Sequence, residues 1–212
     1  MARPREFDED EVLRVAREQF WQTGYAGTTM DAIAAATGLG KGSLYGAFGS
    51  KHQLYLCIFD AYCTDIVDTV ERHLDGPDDE AFERLCAHVR SVAASTAADT
   101  GHRGCLLAKG TAELSEHDAV VAARSLRTFE GLRGALAGDI QAAQRHGDID
   151  PAADPHYLAD LVLAVLRGIE ALGKAGTDTA TLRAIGETAL SVLPRSTGLT
   201  RPTGRPRPRS RG

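Results

Sequence analysis

The chain reads as an all-α protein of about nine helices, and three features of its 212 residues predict that class. Apolar residues recur at helical spacing in segment after segment, cap residues punctuate those segments, and no stretch shows sustained strand alternation. At 43% hydrophobic content the chain can bury a core of one or two small domains.

Asp8 ahead of "EDEVLRVAREQFWQTGY" opens the first helix: a capping carboxylate, acids opposing the helix dipole, then Val12, Leu13, Ala16 and Phe20 on one face, with Gly24 as the stop. A short second helix spans 29 to 37, with Thr28 or Thr29 as cap and Met30, Ile33, Ala34 and Thr37 in register, and Gly38 ends it. The third runs from about Lys41 to Phe48. Ser50 with Gln53 makes a capping box for a long fourth helix carrying Leu54, Ile58, Ala61, Val67 and Val70. "DGPDDE" breaks the chain before a helix around "AFERLCAHVRSVAAS". "CLLAKGTAELS", a long stretch from about 118 to 146 ended by Gly147, and two final Asp-capped helices in "DPHYLADLVLAVLRGIEALGKAG" and "DTATLRAIGETALSVL" complete the set.

The formal net charge is −5, yet six arginines follow Pro194 with no acid among them, so the rest of the chain is more acidic still. Residues 195–212 are Pro, Gly and Arg with almost no apolar content and are expected to be a basic, disordered tail. Arg3 and Arg5 are candidates for a minor-groove arm, with a frayed terminus as the alternative. No run approaches the roughly 18 apolar residues of a membrane span, and the amino terminus is charged where a signal peptide needs an apolar stretch, which predicts a cytoplasmic protein with no membrane partner. Four scattered cysteines, Cys57, Cys63, Cys86 and Cys105, form no C-x-x-C pair and read as reduced thiols. Seven histidines fall at no ligand spacing, and no nucleophile stands near a base, so no metal, no cofactor and no catalysis are expected.

Two short helices joined by "GLG" match a helix-turn-helix, with 29–37 first and 41–48 as the reading helix. Leu44 and Phe48, four residues apart, would pack inward on Ile33 and Phe20, leaving Lys41, Gly42, Ser43, Tyr45 and Gly46 outside. One cation, one phenol, one hydroxyl and bare backbone make a poor core face and a good groove face.

"GYAGTTMDAIAAATGLGKGSLYGAFGSKHQLY" resembles the amino-terminal DNA-binding domain of the TetR family of transcriptional regulators, through Gly-Tyr before Thr-Thr, the Ile-Ala of the second helix, Lys-Gly-Ser-Leu-Tyr and Phe-x-Ser-Lys. The resemblance is specific over residues 7 to 55; beyond them it rests on helix number and length and on "RGCLL". It implies a DNA-binding domain over 6–66 and an effector-binding and dimerisation domain over 67–194. It further implies a homodimer on a palindromic double-stranded operator, most simply as a repressor released by a small apolar effector. Carried over by position, Thr29 and Lys51 touch phosphates, while Lys41, Gly42, Ser43 and Tyr45 face the DNA. Gly40 stands where the family often has Ser, and Gly46 and Ala47 where it often has His or Tyr, implying fewer side-chain contacts per half-site.

The family's dimers pair their last two helices, and the sequence supports that independently. Leu158, Leu161, Val162, Val165, Leu166 and Ile169 make a helix apolar over a wide arc, extended by Leu182, Ile185, Ala189 and Leu193; a filled monomer core is the alternative. Tyr62, Phe82, Phe129 and Leu132, with Cys105 beside them, are the expected effector pocket, or equally a filled core. Cys105 follows His102 and Arg103 at a helix start, which raises a thiol sensor of oxidants or electrophiles as an alternative trigger. A helical interaction module with weak DNA binding is the alternative from another class. Trp21, the only tryptophan, falls in the head, so its fluorescence is expected to follow operator more directly than effector.

Overall fold

The structure is a computed structural model and describes residues 8–196. Arg3, Arg5 and the arginines beyond Arg195 lie outside the described residues. Helices α1 (Glu9–Gly27), α2 (Met30–Thr37), α3 (Lys41–Phe48) and α4 (Lys51–His73) are followed by a 3₁₀ turn (Asp78–Glu80). Then come α5 (Ala81–Ala98), α6 (Leu106–Leu114), α7 (Ala119–His146), α8 (Pro155–Lys174) and α9 (Thr179–Ser191). Among the described residues there is no strand, only one isolated bridge between Ile149 and Arg195.

Local chemistry sets the helix starts. Asp8, Thr29, Ser50, Asp118, Asp154 and Asp178 each accept from a backbone N–H in the first turn of the helix they precede. Ser50 and Gln53 complete the expected capping box. Gly38 and Gly147 end their helices in the left-handed conformation that favours glycine. Gly24 does not stop α1. It breaks it, at φ 78° and ψ 176°, and one more turn follows to Gly27.

One large core spans both halves, and a small second cluster of Ala93, Ile169 and Leu182 lies between α5, α8 and α9. Phe20 of α1 meets Tyr55 of α4 edge-on at 5.2 Å, Tyr25 meets Tyr55 at 5.0 Å, and Tyr55 stacks on Phe59 at 5.5 Å. Leu44, Ile33 and Leu54 are fully buried beneath α2 and α3. α6 approaches α4 so closely at Gly110 that a methyl there would collide with Tyr55 and Phe59. The boundary expected at residues 66/67 falls inside α4, which therefore belongs to both halves.

Two residues assigned to the tail from sequence, Arg195 and Ser196, are held against the body. Arg195 lies over the Phe82 ring at 3.7 Å, and Ser196 N–H donates to the Asp148 carbonyl, so both residues are pinned to the body.

Candidate nucleic-acid interface and the core behind it

α3 buries Leu44 completely and presents Lys41, Gly42, Tyr45 and Gly46 on the surface, with Tyr45 49% exposed; Ser43 is half-buried beside them. A Cβ added at Gly40, Gly42 or Gly46 would meet nothing within 4 Å. Packing inside the chain therefore requires none of these glycines. Gly40 gives α3 no side-chain cap, and its carbonyl accepts the Ser43 N–H at 2.9 Å and the Leu44 N–H at 3.3 Å. Thr29 Oγ1 accepts from the Ala32 N–H at 3.1 Å, as a cap should, and Thr29 itself is exposed.

The two lysines carried over as DNA contacts have local partners. Lys41 Nζ pairs with Asp31 of α2, both side chains being largely exposed. Lys51 Nζ donates to the Tyr25 and Thr28 carbonyls at 3.0 Å each and sits 4.2 Å over the Tyr25 ring, which makes it a tie between the ends of α1 and α4.

The break in α1 at Gly24 is held from the other half of the molecule. Lys109 of α6 donates to the Trp21 and Gln22 carbonyls, which the break leaves without helical partners. One turn further along α6, Glu113 accepts from the Tyr25 N–H at 2.6 Å and the Ala26 N–H at 3.3 Å. A side chain at Gly24 would collide with that carboxylate. Neither residue stood out in the sequence, because the contacts close loops of about 88 residues.

Trp21 is a junction residue. Its indole N–H donates to the Gly104 carbonyl at 2.7 Å, its ring meets Tyr62 edge-on at 5.2 Å, and the Arg103 guanidinium lies 4.8 Å over it. Its surroundings are therefore the α5–α6 loop and the core behind the head.

The residues expected to form an apolar pocket are packed into the core. Tyr62, Cys105 and Leu132 are buried, Phe82 is half-buried under Arg195, and Phe129 packs half-buried against the core; none of the five lines a described cavity. The surroundings of Cys105 are polar. Arg167 Nη1 of α8 lies 3.0 Å from both Cys105 Sγ and Glu170 Oε2, and the Tyr62 hydroxyl is 3.7 Å from the same sulfur. Burial pushes the thiol pKa up, more than Arg167 pulls it down, and likewise raises that of the Glu170 carboxyl.

The dimer face also needs correction. Val162, Leu166, Ile169 and Leu182 are buried within the protomer, and Leu193 with them, so the filled-core alternative holds for these five. Leu158, Val165, Ile185 and Ala189 are half-buried. Leu161, 43% exposed, is the expected residue that faces outward, on a stripe of α8 with Tyr157, 75% exposed, Ala164 and Leu172.

Among the described residues no group of His, Cys, Asp and Glu is placed to hold a metal ion, and no helix is long and apolar enough to cross a membrane.

Comparison with known proteins accords with this geometry. Residues 12–58 match the family described as "Bacterial regulatory proteins, tetR family", and residues 81–188 match "Tetracyclin repressor-like, C-terminal domain". The chain is 25% identical over 193 residues to the HTH-type transcriptional repressor ComR of Escherichia coli (strain K12), covering 91% of each chain. It is 28% identical over 157 residues to the HTH-type transcriptional repressor DhaR of Mycobacterium sp. (strain GP1), covering 74% of this chain and 77% of that one. Among solved structures, a cysteine mutant of the TetR family transcriptional regulator CifR, complexed with 26bp double-strand operator DNA, superposes with a TM-score of 0.78 at 28% identity, over 91% of this chain and all of that one. A TetR transcriptional regulator from Chloroflexus aurantiacus J-10-FL superposes with a TM-score of 0.77 at 25% identity, over 89% and 96%. With both family matches falling on the two halves that the fold distinguishes, the chain belongs to the TetR family of transcriptional regulators, which are DNA-binding proteins and not enzymes.

Proposed function

We propose that this protein is a cytoplasmic, homodimeric repressor that occupies a palindromic operator and leaves it when a small effector binds the regulatory half. The observation that carries the reading is the outer side of α3: Lys41, Gly42, Tyr45 and Gly46 stand exposed on a fully buried Leu44, and no internal contact accounts for either glycine. Bare backbone at Gly42 lets the helix approach base edges, Ser43 is short enough to reach one, and Tyr45 suits a phosphate or a thymine methyl. Thr29 and the uncapped start of α3 supply phosphate contacts. Lys41 exchanges Asp31 for a phosphate, and Lys51 orients the head through α1. The outward stripe of α8, with the exposed edge of α9, pairs with its copy about a two-fold axis, which sets the spacing of the two reading helices. Residues 6–66 read DNA and 67–194 respond and dimerise, while sharing one core.

The test is binding to genomic fragments by a protein whose mass in solution is measured alongside. A dimer that binds selected fragments tightly and loses affinity steeply between about 50 and 200 mM salt supports the reading. A monomer, or binding indifferent to sequence at both salt concentrations, refutes it.

The Arg167 guanidinium at Cys105 favours a second trigger, reaction of that thiol with an electrophile, against the burial that holds the thiol protonated. Cys105→Ser decides it: electrophile-induced release that survives the substitution removes this trigger.

A further inference from the structure

Between residues 8 and 58, every arginine and lysine has a partner inside the protein. Arg14 pairs with Glu11 at 2.6 Å and Arg17 with Asp65 at 3.7 Å, while Lys51 Nζ donates to the Tyr25 and Thr28 carbonyls at 3.0 Å each. Lys41, the fourth, is paired with Asp31. From Thr28 to Ser50, the span of the helix-turn-helix, these two residues carry the only charges in the sequence. The surface that brings α3 to a groove is therefore neutral as long as the pair is closed.

Stability does not account for this pair. The Lys41 and Asp31 side chains are 51% and 71% exposed, and an ion pair so open to water adds little to a fold. Asp31 lies in the first turn of α2 and Lys41 opens α3. A carboxylate at the start of a helix is also favoured by the helix dipole, so Asp31 is not stranded when Lys41 leaves it. On a surface that meets DNA, an acid repels phosphate and occupies the one cation that would attract it. A head built only for affinity would lack it.

We propose that Asp31 is an intramolecular competitor of DNA phosphate for Lys41, and that it keeps the affinity of the head for DNA of arbitrary sequence low. Binding without sequence recognition comes almost wholly from cations that displace condensed counterions. In a loose encounter the pair stays closed, and Lys41 displaces none. On the operator, the bare backbone at Gly42, with open space around it, lets α3 seat in the groove. Lys41 is then held in register with a phosphate, and that contact offsets the opening of the pair. The proposal rests on the reading of α3 as the DNA-contacting helix.

The experiment measures binding of the full chain to a selected genomic fragment and to a duplex of equal length and scrambled sequence, between about 50 and 200 mM salt. Wild type is compared with Asp31→Asn, Lys41→Gln and the double variant, with circular dichroism as the check on folding. On the scrambled duplex Asp31→Asn is expected to bind about three- to tenfold more tightly at the low-salt end. Its slope of log affinity against log salt steepens by about 0.9 per subunit, one more phosphate each. In the Lys41→Gln background the same substitution steepens nothing. On the genomic fragment Lys41 already meets a phosphate in wild type, so the slope changes by less than half as much. An unchanged slope on the scrambled duplex overturns the proposal, as does equal steepening on both duplexes. Steepening that persists in the Lys41→Gln background overturns it too, because Asp31 then acts as a repulsive charge and not through Lys41. Wild type that binds neither duplex refutes the repressor reading and this proposal with it. Sequence-selective binding by wild type, with no effect of Asp31→Asn, refutes this proposal alone.

Discussion

The carboxylate of Glu113, on α6, accepts the backbone N–H of Tyr25 at 2.6 Å and so holds the turn that delivers the chain into the helix-turn-helix. With Lys109 on the preceding carbonyls, α6 grips both sides of the break in α1. This is a direct mechanical link from the regulatory half to the reading head, made without α4.

Glu113→Ala is expected to cost about 1 kcal/mol of stability, because an exposed hydrogen bond to backbone is replaced by water. Its larger effect falls on the head: amide exchange at Tyr25 and Ala26 accelerates and operator affinity drops, while α8 and α9 exchange as in wild type. Exchange by mass spectrometry checks this, and unchanged rates at residues 24 to 28 would refute the link.

Gly42→Ala and Gly46→Ala should each stabilise the fold by up to about 1 kcal/mol, since both sites lie inside α3 with open space for a methyl. Gly42→Leu should fold and dimerise normally yet lose operator binding, whereas Gly46→His should be tolerated or bind more tightly. Circular dichroism and fluorescence anisotropy with labelled DNA distinguish these outcomes. Normal binding by Gly42→Leu would mean that α3 faces DNA differently.

His88 makes stability depend on pH. It is 6% exposed on α5, with its ring 5.8 Å from that of His73. Burial first, then the charges of His73 and Arg167, lower its pKa to about 4. In the unfolded chain it titrates near 6.5. Between these values the unfolded state binds the proton and the folded state does not, so stability falls as pH drops through this window and is unaffected above it. Wild type should lose about 2 kcal/mol more than His88→Leu between pH 7 and pH 5. Denaturant melts at both pH values check it; equal losses in the two proteins would contradict it.

The two faces of α8 should separate under mutation. Ile169→Ala, in the core, is expected to cost 2 kcal/mol or more, within the range of about 2–5 kcal/mol for such truncations. Leu161→Glu, on the outward stripe, should leave the protomer folded and shift the mass in solution from dimer to monomer. Melting curves and light scattering read the two effects, and a Leu161→Glu protein that stays dimeric would remove that stripe from the interface.

Features fixed by neighbours a few residues away are legible in the sequence. Asp8, Thr29, Ser50 and Asp118 cap helices because their side chains reach amides within the next turn, and Leu44 is buried because its spacing matches Ile33 across a tight turn. What depends on distant partners was not readable. The Tyr25 and Thr28 carbonyls that Lys51 binds lie 26 and 23 residues away, beyond the reach of any local pattern. An α8 apolar around most of its circumference shows that two faces are covered without showing which belongs to the protomer. The aromatic set at Tyr62, Phe82 and Phe129 has the composition of a pocket and of a packed core alike, and composition does not separate the two.

The most direct test of the central claim is selection of bound genomic fragments, followed by footprinting with wild type and Gly42→Leu. A symmetric protected site is expected, two half-sites related by a dyad and centred about one helical turn (10–10.5 bp) or a multiple of it apart, and it disappears with Gly42→Leu while the protein remains a folded dimer. Protection without symmetry, or a footprint that survives Gly42→Leu, would contradict it.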